Sequence, residues 1–165
     1  GNPDIYPTVC LGTILKKESL PDGRSNILLL GLKRVRIRNI LKPLPYRTAS
    51  VDILEDSSPH LSKEDQRQIK TRLLETYGEL VIEYAGSKHN FPTLSNTGFG
   101  LAELTDALAA SLGLPVPQQV ELLGETDVAV RARVLQEKMN VMLKRCNPID
   151  PNPANDLLRP NIHLN

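Results

Sequence analysis

Few polar side chains in this sequence stand at a spacing that supports chemistry. Nucleophilic catalysis needs a serine held against a base. The candidates are Ser62-Lys63 and Ser87-Lys88, adjacent pairs that caps and loop contacts explain better. Asp52, Glu55 and Asp56 offer the paired carboxylates of general acid–base work. They fall where a strand runs into a loop, and a solvated acidic turn accounts for them. His60, His89 and His163 are too dispersed for an HExxH pair or a zinc finger. Gly98-Phe99-Gly100 is a bare GxG with no lysine after it, so it lacks the elements of a phosphate-binding loop. It is expected to be a loop and a helix entry. No catalytic residue, metal site or cofactor is therefore expected.

Two other groups suit binding. Between Asp22 and Asp52 stand seven basic residues and no acidic one: Arg24, Lys33, Arg34, Arg36, Arg38, Lys42 and Arg47. Of these, Arg34, Arg36, Arg38 and Arg47 form a candidate basic surface for phosphates. The alternative is that arginines coat the wet side of an amphipathic strand and discourage edge-to-edge pairing. Single-strand binders add stacking aromatics, and only Tyr46 lies near. Nucleic acid is thus the disfavoured partner. Tyr46, Phe91 and Phe99 are rare aromatics beside predicted loops, and they are the candidate polypeptide contacts.

The elements that must position these residues are legible in the hydrophobic pattern. Thr8 to Lys17 is rich in β-branched and aliphatic residues and ends at Leu20-Pro21-Asp22-Gly23. In that turn proline presets φ and glycine tolerates a positive φ. A long strand follows, Ser25 to Leu41. Its run Ile27–Leu30 is continuously apolar, as expected where both faces are covered. Beyond Gly31, Val35 and Ile37 alternate with Arg34, Arg36 and Arg38. Leu32 is out of phase with them, which predicts a bulge or bend near Gly31. A third strand spans Tyr46 to Leu54, with Ala49, Val51 and Ile53 on one face, so the three make an antiparallel meander. Helices come after. Ser62 to Asp65 is a capping arrangement ahead of the stripe Ile69, Leu73, Tyr77, Leu80, Val81 and Tyr84. Leu101, Leu104, Leu108 and Leu112 mark a second helix, a short one surrounds Gln118 to Leu123, and the last runs from about Asp127 to Lys144. In that last helix Val128, Ala132, Leu135, Met139 and Met142 point inward. The order predicts an α+β fold: a β lobe over 1–58, a helical lobe over 59–146 and a Pro/Asn-rich tail over 147–165.

Bulk properties narrow the function classes. The 165 residues are 40% hydrophobic and 24% charged, ordinary for a globular chain. Twenty basic side chains face 19 acidic ones, so no global field draws the molecule to nucleic acid or membrane. Cys10 and Cys146 form no CxxC pair, which suits a reducing, cytoplasmic compartment. No apolar run approaches the ~20 residues a bilayer span needs. The opening GNPDIYPTV lacks a signal-peptide pattern and an initial methionine. In the tail, Leu157, Leu158, Ile162 and Leu164 are the expected anchors.

The strings CLGTILKKESLPDGRSNILLLGLKRVRIRNI, PYRTASVDILED and LTDALAASLGLPVPQQVELLGETDVAVRARVL resemble the LON substrate-binding domain, the N-terminal domain of ATP-dependent Lon proteases. The likeness covers most of residues 4–145. Its most specific parts are the PDG turn, the GLKRVRI strand and the late helical series. It implies a PUA-like antiparallel β-barrel lobe followed by a helical lobe, and a non-catalytic role in recognising protein substrates or partners. The protease and ATPase motifs of Lon lie in other domains. Family members carry a further strand-bearing segment before the position of Gly1. An incomplete barrel should therefore show an unpaired edge and bare apolar surface, to be covered by a second copy or the tail. The Pro/Asn ending favours a stand-alone protein over a piece of Lon.

Overall fold

The computed structural model describes residues 4–42, 46–58, 61–84 and 98–146. Phe91 and the tail over 147–165 lie outside the described residues, as do the expected tail anchors. Three strands, β1 (Thr8–Ser19), β2 (Ser25–Lys42) and β3 (Thr48–Leu54), form one antiparallel sheet in the order β1-β2-β3. Four helices follow: α1 (Lys63–Glu83), α2 (Leu101–Ser111), α3 (Val116–Gly124) and α4 (Val128–Cys146). This is the α+β meander-then-helices layout that the sequence predicts.

Local chemistry sets the element boundaries. Gly23 closes the β1–β2 hairpin at φ 82°, where a side chain would be strained. The expected irregularity near Gly31 is a bulge. Leu11 pairs with Lys33 and Gly12 with Gly31, so Leu32 is the extra residue. Further register shifts leave Leu15 unpaired on β1, and Arg38 and Leu41 unpaired on β2. Gly12 has a packing reason to be glycine, since a Cβ there would lie 2.7 Å from the Leu30 carbonyl oxygen. The capping box of α1 is complete. The Asp65 amide donates to Ser62 Oγ at 3.0 Å, and the Ser62 amide donates to Asp65 Oδ2 at 3.1 Å. At α4, Asp127 Oδ1 accepts from the Ala129 amide at 2.8 Å. A short parallel bridge, Ser57 to Asp127, ties the end of the β lobe to that helix start.

The core lies in the helical lobe. Leu73, Leu80, Leu104, Leu108, Leu135 and Met139 are each at most 1% exposed. Burying each such side chain is worth about 1.5–3 kcal/mol. The sheet adds only Val35 to the fully buried hydrophobic set among the described residues. The expectation that both faces of Ile27–Leu30 are covered is not met: these residues are 47–58% exposed. The pattern was right about apolarity, but the described chain supplies no layer against either face. The apolar face of β3 is bare too, with Val51 and Ile53 exposed.

Candidate functional site

The two lobes are joined through buried arginines. Arg131 sits on the inward stripe of α4, one turn after Val128, and is 0% exposed. Its guanidinium grips Asp56 with two bonds, Nη1 to Oδ1 at 2.8 Å and Nη2 to Oδ2 at 3.1 Å. It also donates to the Glu125 carbonyl at 2.7 Å and to Thr105 Oγ1 at 3.0 Å. Arg34 enters from β2 and is 9% exposed. It donates from Nε to Asp56 Oδ1 at 3.2 Å, from Nη1 to the Leu123 carbonyl at 3.3 Å, and from Nη2 to Asp106. Two cations and two anions thus cross-link β2, the segment after β3, α2 and α4. Burial raises the pKa of Asp56, but the hydrogen bond and charge of Arg131, followed by those of Arg34, outweigh it and hold the carboxyl below its ordinary value.

Beside this network an open groove of about 920 Å³ runs between the sheet and α2–α3. Its walls include apolar Leu32, Leu54, Ala109, Val116 and Val120, and the Cys10 thiol also faces it. Four carboxylates line it, Glu55, Asp56, Glu103 and Asp106, against two cations, Lys33 and Arg34. Arg131, behind the wall, adds a third cation bonded to Asp56 and Asp106. Arg34 is buried, whereas Asp106 keeps half of its side chain in solvent and Glu55 more than half. Lys33 is already engaged by Glu55, 3.0 Å from Nζ to Oε2. The groove therefore has aliphatic walls and a rim of carboxylates that are largely paired, Asp56 and Asp106 with Arg34 and Arg131 and Glu55 with Lys33, a combination suited to a mainly apolar chain segment.

The structure distributes the sequence-predicted residues differently. Arg34 is not on a solvent-facing basic surface; it is a buried network member. Arg36 is exposed, Arg38 pairs with Asp52, and Arg47 is half-buried. The expected solvated acidic turn also divides: Asp52 and Glu55 are surface ion-pair partners, while Asp56 anchors the network. Tyr46 is 68% exposed ahead of β3, and Phe99 packs against the helical core. Neither lines the groove, so the described aromatics are not brought together. Gly100 is the entry of α2, its amide donating to Glu103 Oε2 at 2.9 Å. Among the described residues, no group of three or more His, Cys, Asp or Glu is placed to hold a metal ion. Among the described residues, no helix is long and apolar enough to cross a membrane.

A small antiparallel sheet is locked to a helical lobe, with a groove of apolar and acidic lining between them. The chain belongs to the ATP-dependent protease La (LON) substrate-binding domain family, whose model matches residues 1–141. It is 25% identical over 146 residues to the Lon protease of Flavobacterium johnsoniae, covering 86% of this chain and 17% of that protein. It is 30% identical over 138 residues to the Lon protease of Amoebophilus asiaticus, covering 80% of this chain and 16% of that one. The chain thus spans about a sixth of these relatives' length. Two solved structures share the fold. The Lon N-terminal domain protein from Xanthomonas campestris has a TM-score of 0.53 at 21% identity, covering 79% of this chain and 66% of that one. The N-terminal domain of Mycobacterium avium complex Lon protease has a TM-score of 0.53 at 20% identity, covering 84% and 73%.

Proposed function

We propose that this chain holds extended or unfolded polypeptide in the groove between the sheet and α2–α3, and performs no reaction itself. The supporting observation is the groove's composition, aliphatic walls beneath a rim of partly exposed carboxylates. Membership in a substrate-binding domain family gives the same direction. The polypeptide is a substrate or partner protein, met in a cytoplasmic setting where Cys10 stays a thiol. The nucleic-acid alternative loses ground to geometry. Arg34 is buried, and Arg38 and Lys33 are met by carboxylates, so the predicted ribbon is largely neutralised along its described length.

Cys10 lines the groove and is exposed, so it reports occupancy directly. In a Cys146→Ser background, a reduced and carboxymethylated protein should slow Cys10 alkylation in a saturable manner. Ala110 is exposed on the groove wall, and Ala110→Trp should abolish that protection while the fold persists. Unchanged alkylation at saturating polypeptide would refute the proposal.

A further inference from the structure

The two walls of the groove belong to different packing units. The sheet and the segment after it supply Leu32, Leu54 and Asp56, whereas α2 and α3 supply Asp106, Ala109 and Val120. Among the described residues, the buried apolar cluster of the helices includes no sheet residue, and Val35 is buried apart from it. No shared apolar core therefore fixes the gap between the walls. What crosses the junction is polar. Asp56 accepts from both Arg34 and Arg131, and Asp106 is shared by the same two cations. Backbone bonds add to this, the Ser57 amide donating to the Thr126 carbonyl and the Val128 amide to the Ser57 carbonyl, each at 2.8 Å. Units joined in this way move relative to one another more readily than units joined by a large apolar interface.

Arg131 differs from the other members of the network. Arg34, Asp56 and Asp106 line the groove, while Arg131 is fully buried behind them and is not part of the lining. It cannot touch a bound chain. Yet it holds one groove-lining carboxylate from each wall. Asp56, on the sheet side, takes two bonds from its guanidinium, and Asp106 of α2 lies 3.4 Å from its Nε. The bond to Thr105 Oγ1 ties it to α2 a second time. A planar guanidinium that bonds as a fork fixes direction as well as distance.

We infer that Arg131 is a positioning residue for the groove. By holding Asp56 and Asp106 from behind, it sets the gap between the sheet wall and the α2–α3 wall, and so couples polypeptide binding to docking of the sheet on the helices. This rests on the proposed polypeptide binding and adds what makes that site competent. A chain that contacts both walls binds only when their separation is right, so apparent affinity falls with the fraction of molecules in that arrangement. By linkage, the bound chain favours docking to the same extent.

The probe is fluorescein-labelled, reduced and carboxymethylated α-lactalbumin, titrated by anisotropy without denaturant, where circular dichroism shows each variant folded. All proteins carry Cys10→Ser and Cys146→Ser. Arg131→Met should weaken binding at least about fivefold, the lower end of typical coupling between sites. Leu80→Ala removes a fully buried side chain of α1, which does not line the groove, and should lower stability while leaving affinity unchanged. A covalent bridge then replaces the lock. A Cβ at Gly124, the end of α3, would lie 3.6 Å from Thr8 Oγ1 at the start of β1, so Thr8→Cys with Gly124→Cys brings sheet and helix within reach of a disulfide. In the Arg131→Met background, oxidation of that pair should restore the parent's affinity, and reduction should remove the gain. If Arg131→Met binds like the parent, or Leu80→Ala loses as much affinity, the positioning role is wrong although polypeptide binding stands. A bridge that forms without restoring affinity would overturn it equally. If the parent binds no polypeptide, the proposed function fails and this role falls with it.

Discussion

Substituting Arg131 by methionine removes the charge while roughly keeping the aliphatic bulk. Arg131 is 0% exposed and donates to Asp56, Thr105 and the Glu125 carbonyl, so its loss strands several acceptors at once. Breaking a buried pair from one side costs about 3–5 kcal/mol. Asp56 keeps Arg34 at 3.2 Å and a side chain 32% in solvent, which places the expected loss near the lower end. Against a total stability of about 5–15 kcal/mol, that is a large fraction. With no tryptophan in the chain, urea unfolding is best followed by far-ultraviolet circular dichroism. For a slope of about 1–3 kcal/mol/M, a loss of about 3 kcal/mol lowers the midpoint by roughly 1–3 M. Asp56→Leu supplies the second arm of a double-mutant cycle. Since the two side chains bond directly, the double variant should lose less than the sum of the singles by at least about 1 kcal/mol. A loss under about 1 kcal/mol for Arg131→Met, or strict additivity in the cycle, would refute the claim that this pair locks the lobes.

Other predictions follow from the same structure. Asp56 is more acidic folded than unfolded, so its contribution is complete above the ordinary value of 3.8 and disappears as the pH falls through its lowered folded pKa. The stability gap between the parent and Asp56→Asn should therefore be full at pH 7 and shrink below about pH 4, measured by urea unfolding at each pH. Leu108→Ala empties a fully buried position and should cost about 2–5 kcal/mol in the same assay. Gly12→Ala drives a Cβ against the Leu30 carbonyl and should cost about 1–3 kcal/mol, read as a lower melting temperature. Arg36→Ala with Arg38→Ala touches only exposed side chains and should change stability by no more than about 0.5 kcal/mol per site.

Periodicity carried most of the secondary structure. The alternation after Gly31, the out-of-phase Leu32 and the leucine stripe of α2 are local signals, and each corresponds to an observed bulge, strand or buried face. The network was harder to see because its members are far apart in sequence: Arg34, Asp56, Asp106 and Arg131 meet only after the lobes dock. One signal was available. Arg131 falls three residues after Val128 and four before Leu135, inside the stripe that faces the core, and Thr105 sits likewise among the α2 leucines. A charge on a buried stripe calls for a partner of opposite sign. The alternation of Arg34, Arg36 and Arg38 suggested one wet face, and it could not reveal that the helical lobe covers the first of the three. Aromatic rarity was an uninformative guide to the groove, whose walls are aliphatic.

The groove itself is tested most directly by hydrogen exchange read by mass spectrometry, with and without saturating unfolded polypeptide. Slowed exchange in residues 31–34 of β2 and in α2 and α3, with α1 unaffected, is the predicted pattern. Protection confined to α1 and α4, or no protection anywhere at demonstrated saturation, would contradict a binding surface between the sheet and those helices.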